Sequence, residues 1–480
     1  MNQRTYTAAF IVLFTLSLLF TSASAHDDPP VPDGTPHVHD DITLAETPTY
    51  YRDVKPIIDQ HCIGCHAPGQ IGHASAPLDE LDVVVDGAED IAFYAQEGYM
   101  PPWMPGPDTI PLKNERGLNA EEIAILTAWA AAGAPLGDPA AAATLPTVDI
   151  PQVRADMVLQ LDAPYTPDTS NTDDYRCFVF DPGLTEPTYV TGYLFEPGEL
   201  EIVHHAILYQ INSEVRERAF AKDAEDEQPG WSCYNTTHLG GRYETMVGTW
   251  APGTTPVFYP AGSGYKIEPG DLFVMQIHYN TSAGVMPDHT RIALQFAEPG
   301  KFMLPLWTAQ LQAPVEIPCP AGMTGEACER ASAVRYAAQR YGSEFYQRPD
   351  TLLRMCDKTL ARDYANLDAS HAVSSCDTPV SFTVVATEVF GHMHELGKSL
   401  RIELNPDTPE AQVLLDVPEW DFHWQDRYQF AEPVTITRGD IVRMTCVWDN
   451  TLSENPRYIV WGEGTGDEMC FGTVTLVGMP

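Results

Sequence analysis

Residues 390–398 read FGHMHELGK, and they follow the apolar run SFTVVATEVF at 381–390. Val, Thr and Phe before the two histidines, and KSLRIEL (398–404) after them, are the composition of β-strands. On a strand, residues i and i+2 face the same side, so His392 and His394 can serve one ion. The His-Glu-x-x-His helix of a zinc protease is absent, because Lys398 stands where its second histidine would be. The plainer reading is two histidines on a wet strand face, so further ligands decide the matter.

The rest of the chain sets limits. Residues 1–25 carry Arg4, the apolar run AAFIVLFTLSLLF and the small-residue end ASA, the pattern of a cleaved export signal. That run is short for a membrane span, and no other long apolar run follows. A soluble, periplasmic or secreted protein beginning near His26 is expected. Residues 26–45 read as a flexible His/Asp/Pro-rich segment in which His26, His37 and His39 either capture metal or merely populate a linker. A formal net charge of −40 argues against nucleic acid and anionic membranes as partners. The ten cysteines of an exported chain should mostly form disulfides.

Two should not. QHCIGCH (60–66) places Cys62, Cys65 and His66 in the C-x-x-C-H pattern of covalent haem c attachment. A redox or zinc Cys-x-x-Cys with an incidental histidine is the competing reading. The surrounding residues 46–138 resemble a small all-α class I cytochrome c, with the lead-in helix YRDVKPIIDQ and the closing helix NAEEIAILTAWAAAG. Asn119 and Glu122 have capping-box spacing and Gly133 ends that helix. GYMPPWMPGP (98–107) offers Met100 as the second axial ligand, matching the Met-Pro-Pro-Trp pattern of related haem domains, with Met104 as the other candidate. A Met/His pair suits electron transfer.

After a linker at 139–155, prolines, glycines and alternating apolar segments predict antiparallel β-sandwich, split at 156–300 and 301–480. Residues 319–376 are the exception. Two helical stretches and Cys319, Cys328, Cys356 and Cys376 mark a disulfide-stapled insertion. Of the three possible pairings, the nested one, 319–376 with 328–356, is the expectation.

Other ligand candidates lie in strand-like runs. LEIVHHAILYQ (200–210) carries His204 and His205, DLFVMQIHYN (271–280) carries His278, and WGEGTGDEMCFG (461–472) carries Met469. Imidazoles suit copper, zinc or iron, and a thioether favours Cu(I). Adjacent histidines on an ideal strand point apart, so using both His204 and His205 requires a bulge or a strand end.

Taken in order, HH, Q-x-H-Y, H-x-H and E-M-C resemble the copper type II ascorbate-dependent monooxygenases, over about residues 156–480. The resemblance implies two jelly-roll-like β-sandwich copper domains, giving a mainly β protein preceded by the all-α cytochrome c domain. It implies two copper ions. His204, His205 and His278 would hold the electron-storing one, and His392, His394 and Met469 the oxygen-binding, catalytic one. Gln276 also matches a family residue. Disulfides Cys177–Cys233 and Cys446–Cys470 are implied too.

The implied reaction hydroxylates a C–H bond of a small organic substrate with O2. Two electrons come from an external donor, an ascorbate-like reductant or a redox protein, and are expected to reach the three-histidine copper through the haem. The peptide-hydroxylating relatives bind a carboxylate with an arginine two residues before His-x-His, where this chain has Phe390; Phe471 follows the Met-Cys pair. Both point to an apolar or aromatic substrate. The alternative reading is a non-catalytic periplasmic electron-transfer or copper-binding protein.

Overall fold

A computed structural model describes residues 42–478, apart from 43, 69–71, 74, 114, 143–151, 169–172, 234–235, 241–242, 252–255, 282–283 and 423. The export signal, His26, His37, His39, most of the 139–155 linker's first part and His423 lie outside the described residues. Among those described, no helix is long and apolar enough to cross a membrane.

The architecture is mainly β. One nine-stranded sheet runs through the molecule. Its path starts at Met157–Gln160 and continues through Arg291–Phe296, Thr188–Glu196, Ser263–Ile267, Leu304–Gln312, Phe471–Gly478 and Val384–His392 to Arg427–Ile436, with Val257–Phe258 at the side. A short parallel pairing, Leu304 with Ser263, joins its two halves. The first half faces a five-stranded sheet (Trp231–Ser232, Asp173–Phe180, Leu272–Asn280, Val203–Ile211, Glu244–Trp250). The second half faces a four-stranded sheet (Ala372–Pro379, Ile441–Trp448, Gly397–Leu404, Gln412–Val417). Alternating side chains from facing sheets fill each sandwich. Phe178, Tyr193, Leu208 and Ile292 share one core, and Val389, Ile402, Met444 and Val474 share the other.

The segment before the sheets is helical. Residues 50–66 wind continuously, and Leu81–Asp86, Ala88–Gln96 and Ala120–Ala131 follow. Val54, Ile58, Val84, Leu126 and Trp129 are buried together. The capping box forms as its spacing predicts: the Asn119 side chain accepts from the Glu122 amide while Glu122 accepts from the Asn119 amide. Gly133 ends the helix in the left-handed region, at φ 80°.

This helical unit docks through an extended stretch with its own main-chain bonds. Gly106 N donates to Asp416 O (2.7 Å), Ile110 N to Val413 O (2.9 Å), Lys113 N to Gln429 O (2.8 Å), and Ala431 N to Pro111 O (2.8 Å). All these partners belong to the second sandwich. The Arg116–Asp426 ion pair (2.9 Å) adds to the contact.

The 319–376 segment is helical as expected, with Arg330–Tyr341, Arg348–Met355 and Leu360–Asp363. Its disulfides are sequential, Cys319–Cys328 and Cys356–Cys376, which corrects the nested expectation. The turn Glu326–Cys328 folds straight back on Cys319, and Cys356 ends a helix lying against the strand that contains Cys376. Each staple therefore closes a local loop. Cys177–Cys233 and Cys446–Cys470 pair as the resemblance implied.

Candidate metal centres

His204 and His205 open strand Val203–Ile211 of the five-stranded sheet. The register slips there, so that His205 lies opposite His278 and Val203 opposite Tyr279. This is the bulge that adjacent histidines need in order to converge. His204 Nδ1 lies 3.2 Å from His205 Nδ1, which lies 3.4 Å from His278 Nδ1. The candidate ligand atoms of all three fall within 4.8 Å of one another.

The other nitrogen of His278 is committed. Its Nε2 lies 3.0 Å from Asp173 Oδ1, and Thr465, from the other sandwich, donates its hydroxyl to the same oxygen at 3.0 Å. Tyr175 stacks on the His278 ring, with centroids 4.0 Å apart. Burial opposes ionisation of Asp173, yet His278, Thr465 and Arg340 together hold its carboxyl below the ordinary range. A carboxylate on the far nitrogen fixes the ring and leaves Nδ1 to ligate. Burial first, then the neighbouring imidazoles, push His205 well below its usual value. Neutral imidazoles are the metal-binding form.

His392 ends strand Val384–His392 and pairs with Phe471, the first residue of the neighbouring strand. Met469 lies two residues before Phe471, beside the Cys446–Cys470 bridge. The rings of His392 and His394 have centroids 5.0 Å apart. Gln425 Oε1 lies 2.5 Å from His392 Nδ1, and the Asp467 carbonyl lies 3.3 Å from His394 Nδ1. Acceptors on both Nδ1 atoms leave the two Nε2 lone pairs for an ion. Burial lowers His392 to about 4 despite the Gln425 bond, and holds His394 well below its usual value.

Glu468 organises this second cluster. Fully buried, its carboxyl accepts from the amides of His394 (3.0 Å), Leu396 (2.7 Å) and Met469 (3.2 Å) and from the Trp448 indole (3.0 Å). The E-M-C pattern contains this residue but carries no sign of its role. Gln425 was also missed, since nothing local marks it. The donor types suit copper: three imidazoles converge in one place, and in the other two imidazoles share a cavity lining with the Met469 thioether.

Residues of both clusters line one cavity of about 380 Å³. His205 and Gln276 line it from the first sandwich, and His392, His394 and Met469 from the second. The Gln276 amide lies 3.5 Å from Cys233 O and Sγ. Phe390 and Phe471 flank His392, with centroids 6.3 and 6.4 Å away. Phe422 stacks on His204 at 4.8 Å and meets the His394 ring edge-on at 6.0 Å.

In the helical unit, Cys62 and Cys65 are free while the other eight cysteines pair. His66 Nδ1 lies 2.8 Å from Ala76 O, so its Nε2 is the nitrogen left to ligate. A side chain at Gly72 would strike this ring at 2.7 Å. Met104 Sδ accepts from the Asp421 amide at 3.4 Å, in the second sandwich.

Comparisons with known proteins agree with this geometry. Residues 159–285 match the N-terminal domain of the copper type II ascorbate-dependent monooxygenases, and residues 366–475 match the C-terminal domain. No curated protein matches the chain. Among solved structures, a xanthan lyase from Paenibacillus is 10% identical over 72% of this chain and 28% of its own, with a TM-score of 0.15. A fucose-binding lectin from Morone saxatilis is 9% identical over 67% and 86%, with a TM-score of 0.16. At those scores neither carries an argument about fold or function.

Proposed function

We propose that this chain, a copper-dependent monooxygenase by both of its matched domains, hydroxylates an aliphatic or benzylic C–H bond of a small organic substrate. In the balanced reaction, the C–H bond and O2 take two electrons and two protons to give C–OH and water. His392, His394 and Met469 would hold the oxygen-binding copper, and His204, His205 and His278 the electron-storing one. Bound copper would supply oxygen binding at the first of these sites and one-electron storage at the second. The observation that carries the reading is that one cavity is lined by His205, a member of a three-imidazole cluster, and by His392, His394 and Met469, so that only one of the two sets contains a thioether.

The protein's part is positioning. Gln425 and the Asp467 carbonyl hold the imidazole protons on Nδ1, while Glu468 locks the turn after His392 to the residue before Met469. Asp173 holds the His278 proton on Nε2 instead, which leaves Nδ1 to ligate. Phe390 and Phe471 place apolar surface beside His392, which keeps water from the reacting carbon and suits a hydrocarbon portion of the substrate.

Cys62, Cys65, His66 and Met100 would hold a covalent haem c, supplying a one-electron carrier. Supporting this are the two unpaired cysteines and the fixed His66 ring. Burial pushes the Cys62 thiol up to about 12, the reverse of a reactive redox thiol. Met104 is engaged with Asp421, which favours Met100 as the axial ligand. The run Met104, Asp421, Phe422, His204 supports delivery of donor electrons to the three-histidine cluster. Four disulfides fit an exported, periplasmic or secreted, location.

The test is isotopic. Copper-loaded protein given a reductant, ¹⁸O2 and a panel of arylalkyl compounds should yield a product with one ¹⁸O per molecule. Reduction of O2 without any labelled organic product would overturn the monooxygenase reading for these substrates.

A further inference from the structure

We propose that Arg348 is an anchor for a carboxylate of the substrate. The assignment rests on the monooxygenase reading for what happens to that substrate, but not for its binding. Arg348 opens helix Arg348–Met355 inside the stapled insertion, outside both stretches matched by the family models. From there it reaches the cavity that contains His392 and Met469.

The guanidinium is short of partners. Nη2 donates to Gln312 Oε1 at 3.1 Å and the group lies over the Trp461 ring at 4.9 Å. Nε is buried and has no hydrogen-bond partner. No ion pair to Arg348 exists among the described residues, whereas Arg427 on the same cavity is paired with Glu388. A partly buried cation whose Nε is unpartnered gains from an arriving anion, and the guanidinium fork matches a carboxylate. Glu463 also lines the cavity and attracts Arg348 across it, but the two form no ion pair, and burial pushes the Glu463 carboxyl up to about 8, which favours its neutral form.

Strand register sets the distance. Gln312 pairs with Phe471, and Phe471 with His392, across three adjacent strands. Two strand spacings are about 10 Å. The substrate would therefore carry its carboxylate roughly that far from the C–H bond presented at His392, with Phe471, on the intervening strand, against the part between. Carboxylate recognition, expected to be lost with phenylalanine at 390, is supplied from the insertion instead.

The experiment measures binding by calorimetry without turnover, using copper-loaded protein under anaerobic conditions. The probes are 8-phenyloctanoate, whose benzylic carbon lies seven bonds from its carboxyl carbon, and its neutral amide. A charge-assisted contact predicts that the carboxylate binds roughly tenfold or more tighter. Arg348→Gln should erase that preference while leaving amide binding unchanged, and Arg348→Lys should retain part of it. Equal binding of the two probes, no binding of either, or a preference that survives Arg348→Gln would overturn the proposal. So would weaker ascorbate binding in Arg348→Gln with probe binding unchanged, which would assign the cation to the reductant. None of these outcomes depends on oxygen insertion, so failure here and failure of the isotopic test are separate.

Discussion

Phe422 lies stacked on His204, with ring centroids 4.8 Å apart and planes 24° from parallel. The same ring meets His394 of the other cluster, and one residue earlier the Asp421 amide bonds Met104 of the helical unit. One loop thus touches the helical unit and both ligand sets. Phe422→Leu should leave copper stoichiometry at the wild-type value and slow electron exchange between the two sites, read by rapid-freeze EPR of half-reduced protein. Because removing a group packed behind a metal ligand typically costs about 10–100-fold, a slowing at the lower end of that range is expected.

The acceptors behind each ring predict site-selective losses. Asp173→Asn should weaken metal binding at the three-histidine cluster by about 10–100-fold, and Gln425→Leu should do so at His392/His394/Met469. Chelator competition followed by EPR reads the two sites separately. Equal losses at both sites in either variant would show that these bonds do not act locally.

Glu463 gives a pH prediction for the metal-free protein. Its folded value is pushed above the unfolded value of 4.5 to about 8 by burial. The folded state therefore holds a proton that the unfolded chain releases. The associated stability is fully present below pH 4.5 and is lost as pH rises through 8. Each such proton gives a slope of about 1.4 kcal/mol per pH unit. Urea unfolding of Glu463→Gln across this range should show a slope smaller by up to that amount.

The Arg116–Asp426 pair fastens the helical unit to the second sandwich, with both side chains mostly buried. Arg116→Ala should weaken the docking by roughly 1–3 kcal/mol. Hydrogen exchange at the Ile110 and Lys113 amides, which bond to Val413 and Gln429, should then quicken. Protection at Leu126 and Trp129, inside the helical core, should hold.

Much of the candidate site could be read from the chain because candidate ligands stand out by type and spacing. His392 and His394 stand two residues apart at the end of a strand-like run, although the strand itself stops at His392, and the need for a bulge at His204 followed from strand geometry alone. What stayed hidden is long-range. Gln425 reaches His392 only because the strand beginning at Arg427 pairs with Val384–His392. Glu468 acts on the amides of His394 and Leu396, more than 70 residues away in sequence, and a carboxylate carries no local signal of such a role. The docking stretch around Ile110 has no strand pattern of its own, because its hydrogen bonds are satisfied by edges about 300 residues later. The insertion's pairing depended on where its helices lay, which four cysteine positions could not specify.

The most direct measurement is copper per chain in protein reconstituted with copper, compared with a His392→Ala/Met469→Ala variant and with His204→Ala. Two coppers in the wild type and one in each variant, with different EPR signals remaining, is the predicted result. No copper, or a single copper that both variants leave intact, would contradict the account of two ligand sets facing one cavity.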